Sequence, residues 1–272
     1  MPQASVKRAG RFAFVAAALV LVNLATAVVS AAGTSTPLAG IVPPRNPPKN
    51  LAPAPDFYAS CTPNVLDDTV ACNSKVLEAI DHARSSEPVG PLQFNLEKFL
   101  RLSVADQLFA VVDLERVSRD EPPVTALVAQ LDQVGKAGAL AGGDPVLAAA
   151  SLAGGAQVRA WGSNWAAGSE SALGADYSWM YDDGYGSSNY ACRSPHAEGC
   201  WGHRDNILRL WPSYLAGCKP GDSQLVMGAA QANSSRYGTS FAEIFVAACG
   251  PKPTGEVYTW AQAQAATGAQ RP

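Results

Sequence analysis

Apolar residues recur three and four positions apart along the first half of the chain, and they alternate or run together in the second half. Ser74 opens the first periodic stretch. Val76, Leu77, Ile80 and Ala83 fall on one face of it, which predicts a helix over residues 74–84. His82 shares the other face with Lys75 and Glu78, as a solvated side chain does. Ser103, with Asp106 three positions on, caps a second helix whose apolar stripe is Val104, Leu108, Val111, Val112 and Leu114. Pro122 and Pro123 end it. A third helix is expected over residues 125–140, with Leu127, Leu131 and Val134 on one face and Gly142 and Gly143 closing it.

Residues 157–165 read as a strand and residues 171–181 as a helix carrying Trp179. Two apolar runs, 225–232 and 239–248, flank the polar turn 233–238 and predict an antiparallel hairpin. From Phe241 to Ala248 the chain is apolar at successive positions, as in a central strand covered on both sides, and Glu243 is the exception. A buried carboxylate needs a partner, so Glu243 either points into a cleft or pairs with a cation such as Arg204 or Arg209. The fold class predicted is α+β, a three-layer α-β-α sandwich with a central antiparallel sheet.

The chain ends and the cysteines add a compartment. Lys7, Arg8 and Arg11 precede an apolar run over residues 12–29, and the small residues Ser30, Ala31 and Ala32 follow, so residues 1–32 read as a secretory signal. Asn23 and Thr26 interrupt the run; left uncleaved, it is the one segment through which the chain meets a membrane. Residues 33–56 form a proline-rich spacer, residues 57–255 the folded domain and residues 256–272 a C-terminal tail. An even number of cysteines in an exported chain predicts disulfides, and clustering suggests Cys61 with Cys72, Cys192 with Cys200, and Cys218 with Cys249. No two of them have the Cys-x-x-Cys spacing of zinc ligands. Loss of the signal takes the formal charge from −3 to −6, which excludes non-specific binding to nucleic acid. The Ala and Gly richness fits a GC-rich bacterial genome, and the location expected is secreted or cell envelope.

Candidate chemistry concentrates between Trp161 and Leu208. The stretch contains Trp161-Gly162-Ser163-Asn164-Trp165-Ala166-Ala167-Gly168, then Trp179-Met180-Tyr181-Asp182, and then Gly202-His203-Arg204-Asp205-Asn206-Ile207-Leu208. Arg204, Asp205 and Asn206 suit a loop fixed by side-chain hydrogen bonds. These motifs resemble the CAP superfamily of cysteine-rich secretory proteins, antigen 5 and plant pathogenesis-related proteins, in particular its bacterial SCP-like extracellular branch. The string from Gly202 is close to a signature of that branch, and Gly162-Ser163-Asn164 is similar to its Gly-Glu-Asn strand. Val112-Asp113-Leu114-Glu115-Arg116 followed by Pro122-Pro123 is similar to the family's early helix and turn. The resemblance covers residues 108–249.

The resemblance implies a cleft with two histidines and two glutamates, which in some members binds a divalent metal. His203 matches the second histidine, Asp182 stands where the second glutamate is expected, and Ser163 replaces the first glutamate. The first histidine has no counterpart between Val146 and Trp161. Two matching ligands are too few for a standard zinc site, so no metal and no cofactor is expected. His196 reads either as a substitute ligand or as an exposed loop histidine.

The function expected is a non-enzymatic binding module with a degraded His/Glu cleft, its candidates being His203, Asp182, Ser163, Glu243, Arg204 and Asn206. The sequence names no ligand, and the class expected is a lipid or a cell-wall component. One alternative is a peptidase-like hydrolase using Ser163, His203 and Asp182 as nucleophile, base and orienting acid. The other is lipid or sterol carriage. Trp161, Trp165, Trp179, Trp201, Trp211 and Tyr185 gather in the same region, either as core or as walls for a sugar or lipid.

Overall fold

The structure is a computed structural model and describes residues 46–147, 152, 154–209, 211–234, 236–253 and 257–270. The signal segment 1–32 and the spacer as far as residue 45 lie outside the described residues. Helix α1 (Val70–Arg84) begins before the position that periodicity marked. Thr69 caps it, accepting from the Cys72 amide at 3.3 Å, and Asp67 in turn holds the Thr69 hydroxyl at 2.6 Å. After the single turn α2 (Leu96–Phe99), helix α3 (Val104–Val117) starts at Ser103, whose hydroxyl accepts from the Asp106 amide at 3.2 Å.

The expected third helix divides. Residues 126–128 extend as strand β1 (Ala126–Val128), and the helix proper is α4 (Ala129–Ala141), stopped by Gly142 in the left-handed region. Then come β2 (Gln157–Ala167), α5 (Ala172–Tyr181), α6 (Gly202–Leu208) and a 3₁₀ turn (Trp211–Leu215). The hairpin β3 (Ser223–Ser234) and β4 (Gly238–Cys249) precedes β5 (Val257–Thr259) and α7 (Trp260–Thr267).

The fold is mixed α/β with a five-stranded sheet in the order β2-β4-β3-β1-β5. The β1–β3 pair is parallel and the others antiparallel, so the sheet is mixed rather than the antiparallel one expected. A three-residue strand at the head of a helix is too short to show a period of its own. Nor are residues 257–270, within the expected tail 256–272, free of the domain. Thr259 and Gln262 form a capping box, β5 pairs with β1, and Thr267 accepts from the Asn95 amide at 2.9 Å. At the other end, residues 46–56, assigned to the spacer, include a strap hydrogen-bonded to the domain. The Leu51 amide donates to the Tyr181 carbonyl at 2.8 Å, and Asn50 Oδ1 accepts from the Gly184 amide at 2.6 Å.

Alternation along the hairpin divides the core. Leu225, Met227, Phe241 and Phe245 join the apolar faces of α1, α3 and α5, whereas Val226, Ile244 and Val246 pack with Leu131 of α4. At Gly228 the α4 backbone lies so near that an added Cβ would collide with Leu131. From Gln107 to Val117 helix α3 is buried on every side, charged residues included. Its Glu115 carboxylate pairs with Arg84 and Arg119 and accepts from the Tyr181 hydroxyl at 2.8 Å. Glu87 extends the network to Arg119 at 3.0 Å and to Arg204 at 2.8 Å. Burial opposes ionisation of Glu115, but the two guanidinium groups outweigh it and hold the carboxyl below its ordinary range.

Three disulfides close the loops, Cys61–Cys72, Cys192–Cys200 and Cys218–Cys249, and they fit an oxidising compartment. Among the described residues no helix is long and apolar enough to cross a membrane.

Glu115→Gln takes the ion-pair partner from the buried Arg84 guanidinium and leaves Arg119 with Glu87 alone, and chemical denaturation is expected to show a loss of about 3–5 kcal/mol. Gly228→Ala forces α4 away from the sheet, at a cost of roughly 1–3 kcal/mol in the same assay. Gly202→Ala, where an added Cβ meets nothing within 4 Å, serves as the nearly neutral comparison.

Candidate functional site

Helix α5 ends at Tyr181, and the next two residues take different roles. Asp182 is half-buried on the wall of a cavity of about 390 Å3, and Asp183, 1% exposed, turns towards the start of α6. Helix α6 lacks a side-chain cap of its own, since Trp201 precedes it in a left-handed conformation. Asp183 supplies the missing acceptor from a distance. Its Oδ2 takes the His203 amide at 2.9 Å, and its Oδ1 lies 2.6 Å from His203 Nδ1. Asn189 steadies this carboxylate, donating to Oδ1 at 2.7 Å.

The other ring nitrogen of His203 faces Asp144, with Nε2 3.5 Å from Oδ1. Asp144 follows the glycines that stop α4, so the imidazole bridges the ends of two distant elements. Burial works against charging His203, but the hydrogen bonds and charges of Asp144 and Asp183 prevail and raise its pKa to about 10. At neutral pH the side chain is an imidazolium.

Behind the imidazole lies an amide and carboxyl relay. Asn164 donates to the His203 carbonyl at 3.1 Å and to Glu243 Oε1 at 2.7 Å. Asn206 donates to Asn164 Oδ1 and to the Ser163 carbonyl, both at 2.9 Å. The close approach requires Gly162, where a Cβ would strike the Asn206 amide. Glu243 is fully buried, and burial pushes its pKa up to about 8 against the opposing effects of Asn164 and the His203 charge.

Several expected roles change. Glu243 neither enters the cavity nor meets an arginine; its partner is the Asn164 amide, paired across β2 and β4 in register. Arg204 turns inward to Glu87 and the Met180 carbonyl, and Arg209 lies over the Trp211 ring at 5.2 Å. Ser163 contributes its carbonyl to Asn206, and strand alternation points its side chain to the face opposite Asn164. The set Ser163, His203 and Asp182 is therefore not assembled as nucleophile, base and orienting acid. The carboxylate on His203 is Asp183, one residue beyond the one expected. His196 is exposed on its loop.

Asp144 and Asp183 were not singled out in the sequence. Two consecutive aspartates after Trp179 are a signal, but spacing alone does not say which one turns under α6. Asp144 reaches the site only through the path of α4. Among the described residues no group of three or more His, Cys, Asp or Glu side chains is arranged to hold a metal ion. Both ring nitrogens of His203 are already engaged by carboxylates, so the side chains present do not fit the metal centre that the resemblance implies.

The two raised pKa values give separate pH windows. His203 is raised from 6.5 to about 10, so its contribution to stability is full below pH 6.5 and is lost as pH rises through about 10. Glu243 is raised from 4.5 to about 8, so its contribution is full below pH 4.5 and is lost as pH rises through about 8. Thermal melts across this range are expected to show His203→Gln flattening the alkaline decline relative to the parent and Glu243→Gln flattening the decline nearer neutrality. No family model matches the chain, and neither a curated protein nor a solved structure does, so the chemistry of the site rests on its own geometry.

Proposed function

We propose that the protein is an exported binding module of the CAP type, a three-layer α-β-α domain that holds a cell-wall glycan in the cavity beside His203 without turning it over. The observation that carries this reading is the bracketing of His203 by Asp183 and Asp144. An imidazolium accepts no proton from a nucleophile, so His203 is a poor general base at neutral pH. Ser163 is not among the described residues that line the cavity, so it adds no nucleophile there.

The cavity walls favour a sugar over a lipid. Trp165, Trp179, Tyr190 and Tyr237 line it together with Asp144 and Asp182. A pyranose ring offers a flat apolar face to aromatic rings and hydroxyls to carboxylates. An acyl chain would strip water from those carboxylates and return no hydrogen bond, and a sterol has a single hydroxyl to offer them. Export is supported by the signal pattern over residues 1–32 and by the three disulfides.

Co-sedimentation with purified bacterial cell-wall sacculi tests the reading. The parent protein is expected to bind, and Tyr190→Ala, which alters a side chain 79% exposed, to bind about tenfold more weakly with an unchanged melting temperature. Undiminished binding by that variant places the ligand elsewhere. Release of soluble fragments by the parent but not by His203→Gln would establish an enzyme and overturn the proposal.

A further inference from the structure

We infer that the ligand carries a primary ammonium group, which Asp182 holds at the cavity wall, on a hydroxylated ring whose flat face lies against Tyr190. The inference rests on the binding-module reading above and names the ligand class for the same cavity.

Charge balance within the cavity is the first argument. Three carboxylates line it, and the imidazolium of His203 is the only cationic side chain among the described lining residues. That one positive charge is shared between Asp183 and Asp144. Asp182 receives none of it: among the described residues its side chain makes no hydrogen bond and no ion pair. Burial and then the adjacent Asp183 both raise its pKa, as expected for a carboxylate that the protein itself leaves without a counter-charge. The nearby arginines are otherwise occupied. Arg204 is paired with Glu87, Arg209 lies over Trp211, and Arg236 lies 4.9 Å from the centre of the Tyr237 ring.

The walls supply the second argument. Arg236 occupies one face of Tyr237, and Trp165 packs edge-on against the same ring with centroids 5.2 Å apart. Tyr190, 79% exposed at the rim, is the most exposed of the aromatic side chains that line the cavity. Trp179 also lines the cavity, is 1% exposed, and has an indole N–H without a hydrogen-bond partner. A buried donor of this kind is satisfied by an oxygen that reaches it along the cavity wall, whether an ordered water or the ligand hydroxyl that displaces it. An ammonium for Asp182, a flat ring face for Tyr190 and a hydroxyl oxygen for Trp179 describe a sugar with a free amine. A divalent cation is a poorer match, because it demands several oxygen ligands at once, whereas an ammonium is satisfied by one carboxylate beside an aromatic ring.

The test is calorimetric titration with two trisaccharides, the β-1,4 trimer of glucosamine and its fully N-acetylated counterpart, at about pH 6 where the amine is charged. The parent is expected to bind the free-amine trimer about tenfold more tightly, with a preference that shrinks as salt is added. Asp182→Asn should abolish the preference while leaving weak, equal binding of both sugars. Asp182→Glu should restore it, which separates loss of charge from loss of fold. Equal binding of the two trimers by the parent, or a preference that survives Asp182→Asn, overturns the inference. If sacculi bind but neither trimer does, the ammonium assignment fails and the binding-module reading stands. If sacculi and trimers alike fail to bind, both fall.

Discussion

A carboxylate fully removed from water is tolerable only if its charge is answered on the spot, and Glu115 sits in that position at the centre of α3. Arg84 comes to it from α1, Arg119 from just beyond the end of α3, and the Tyr181 hydroxyl from the end of α5. Three helices that the hydrophobic effect alone would allow to slide are thus held in one register, because any shift leaves a buried charge unanswered. Glu87 continues the demand outward, since it serves Arg119 and Arg204 together.

Arg204 is the link between that network and the cavity. It sits beside His203 on α6, so its anchorage to Glu87 fixes how the short helix presents the imidazole. The remaining freedom of His203 is removed by Asp183 on one ring nitrogen and Asp144 near the other, and its carbonyl is held by Asn164. Asn164 also accounts for the odd acid in the apolar strand. Glu243 has lost its water but keeps one amide partner, a compromise that favours the protonated form and leaves its second oxygen without a partner.

Periodicity located the helices and strands that bury a wide apolar face. Ser103 caps as its position suggests, the helix expected from Ser171 begins one residue later with that serine as its cap, and the hairpin from Ser223 to Cys249 follows its two apolar runs. The three cysteine pairs agree with their clustering along the chain. What local pattern does not encode is which short segment completes the sheet. Residues 126–128 look helical beside α4 and become a strand because β3 and β5 offer open edges on both sides. The site shows the same division. His203 and Asp182 do line one cavity, and Asn206 fixes the backbone as its residue type suggests. The partners of His203 depend on where α4 ends and how the chain leaves α5. Those are facts of tertiary path, invisible to spacing.

Asn50 completes the picture from the other end of the domain. Its side chain bonds to both the amide and the carbonyl of Gly184 and to the carbonyl of Tyr185, and Gly184 directly follows Asp183. In mechanical language the strap and the cavity are connected in series. A displacement of the strap acts on these bonds and on the one from Asn46 to Asp205 before it reaches any strand of the sheet, and Gly184 passes it directly to the aspartate that orients His203. The position of the strap and the shape of the cavity are therefore mechanically linked.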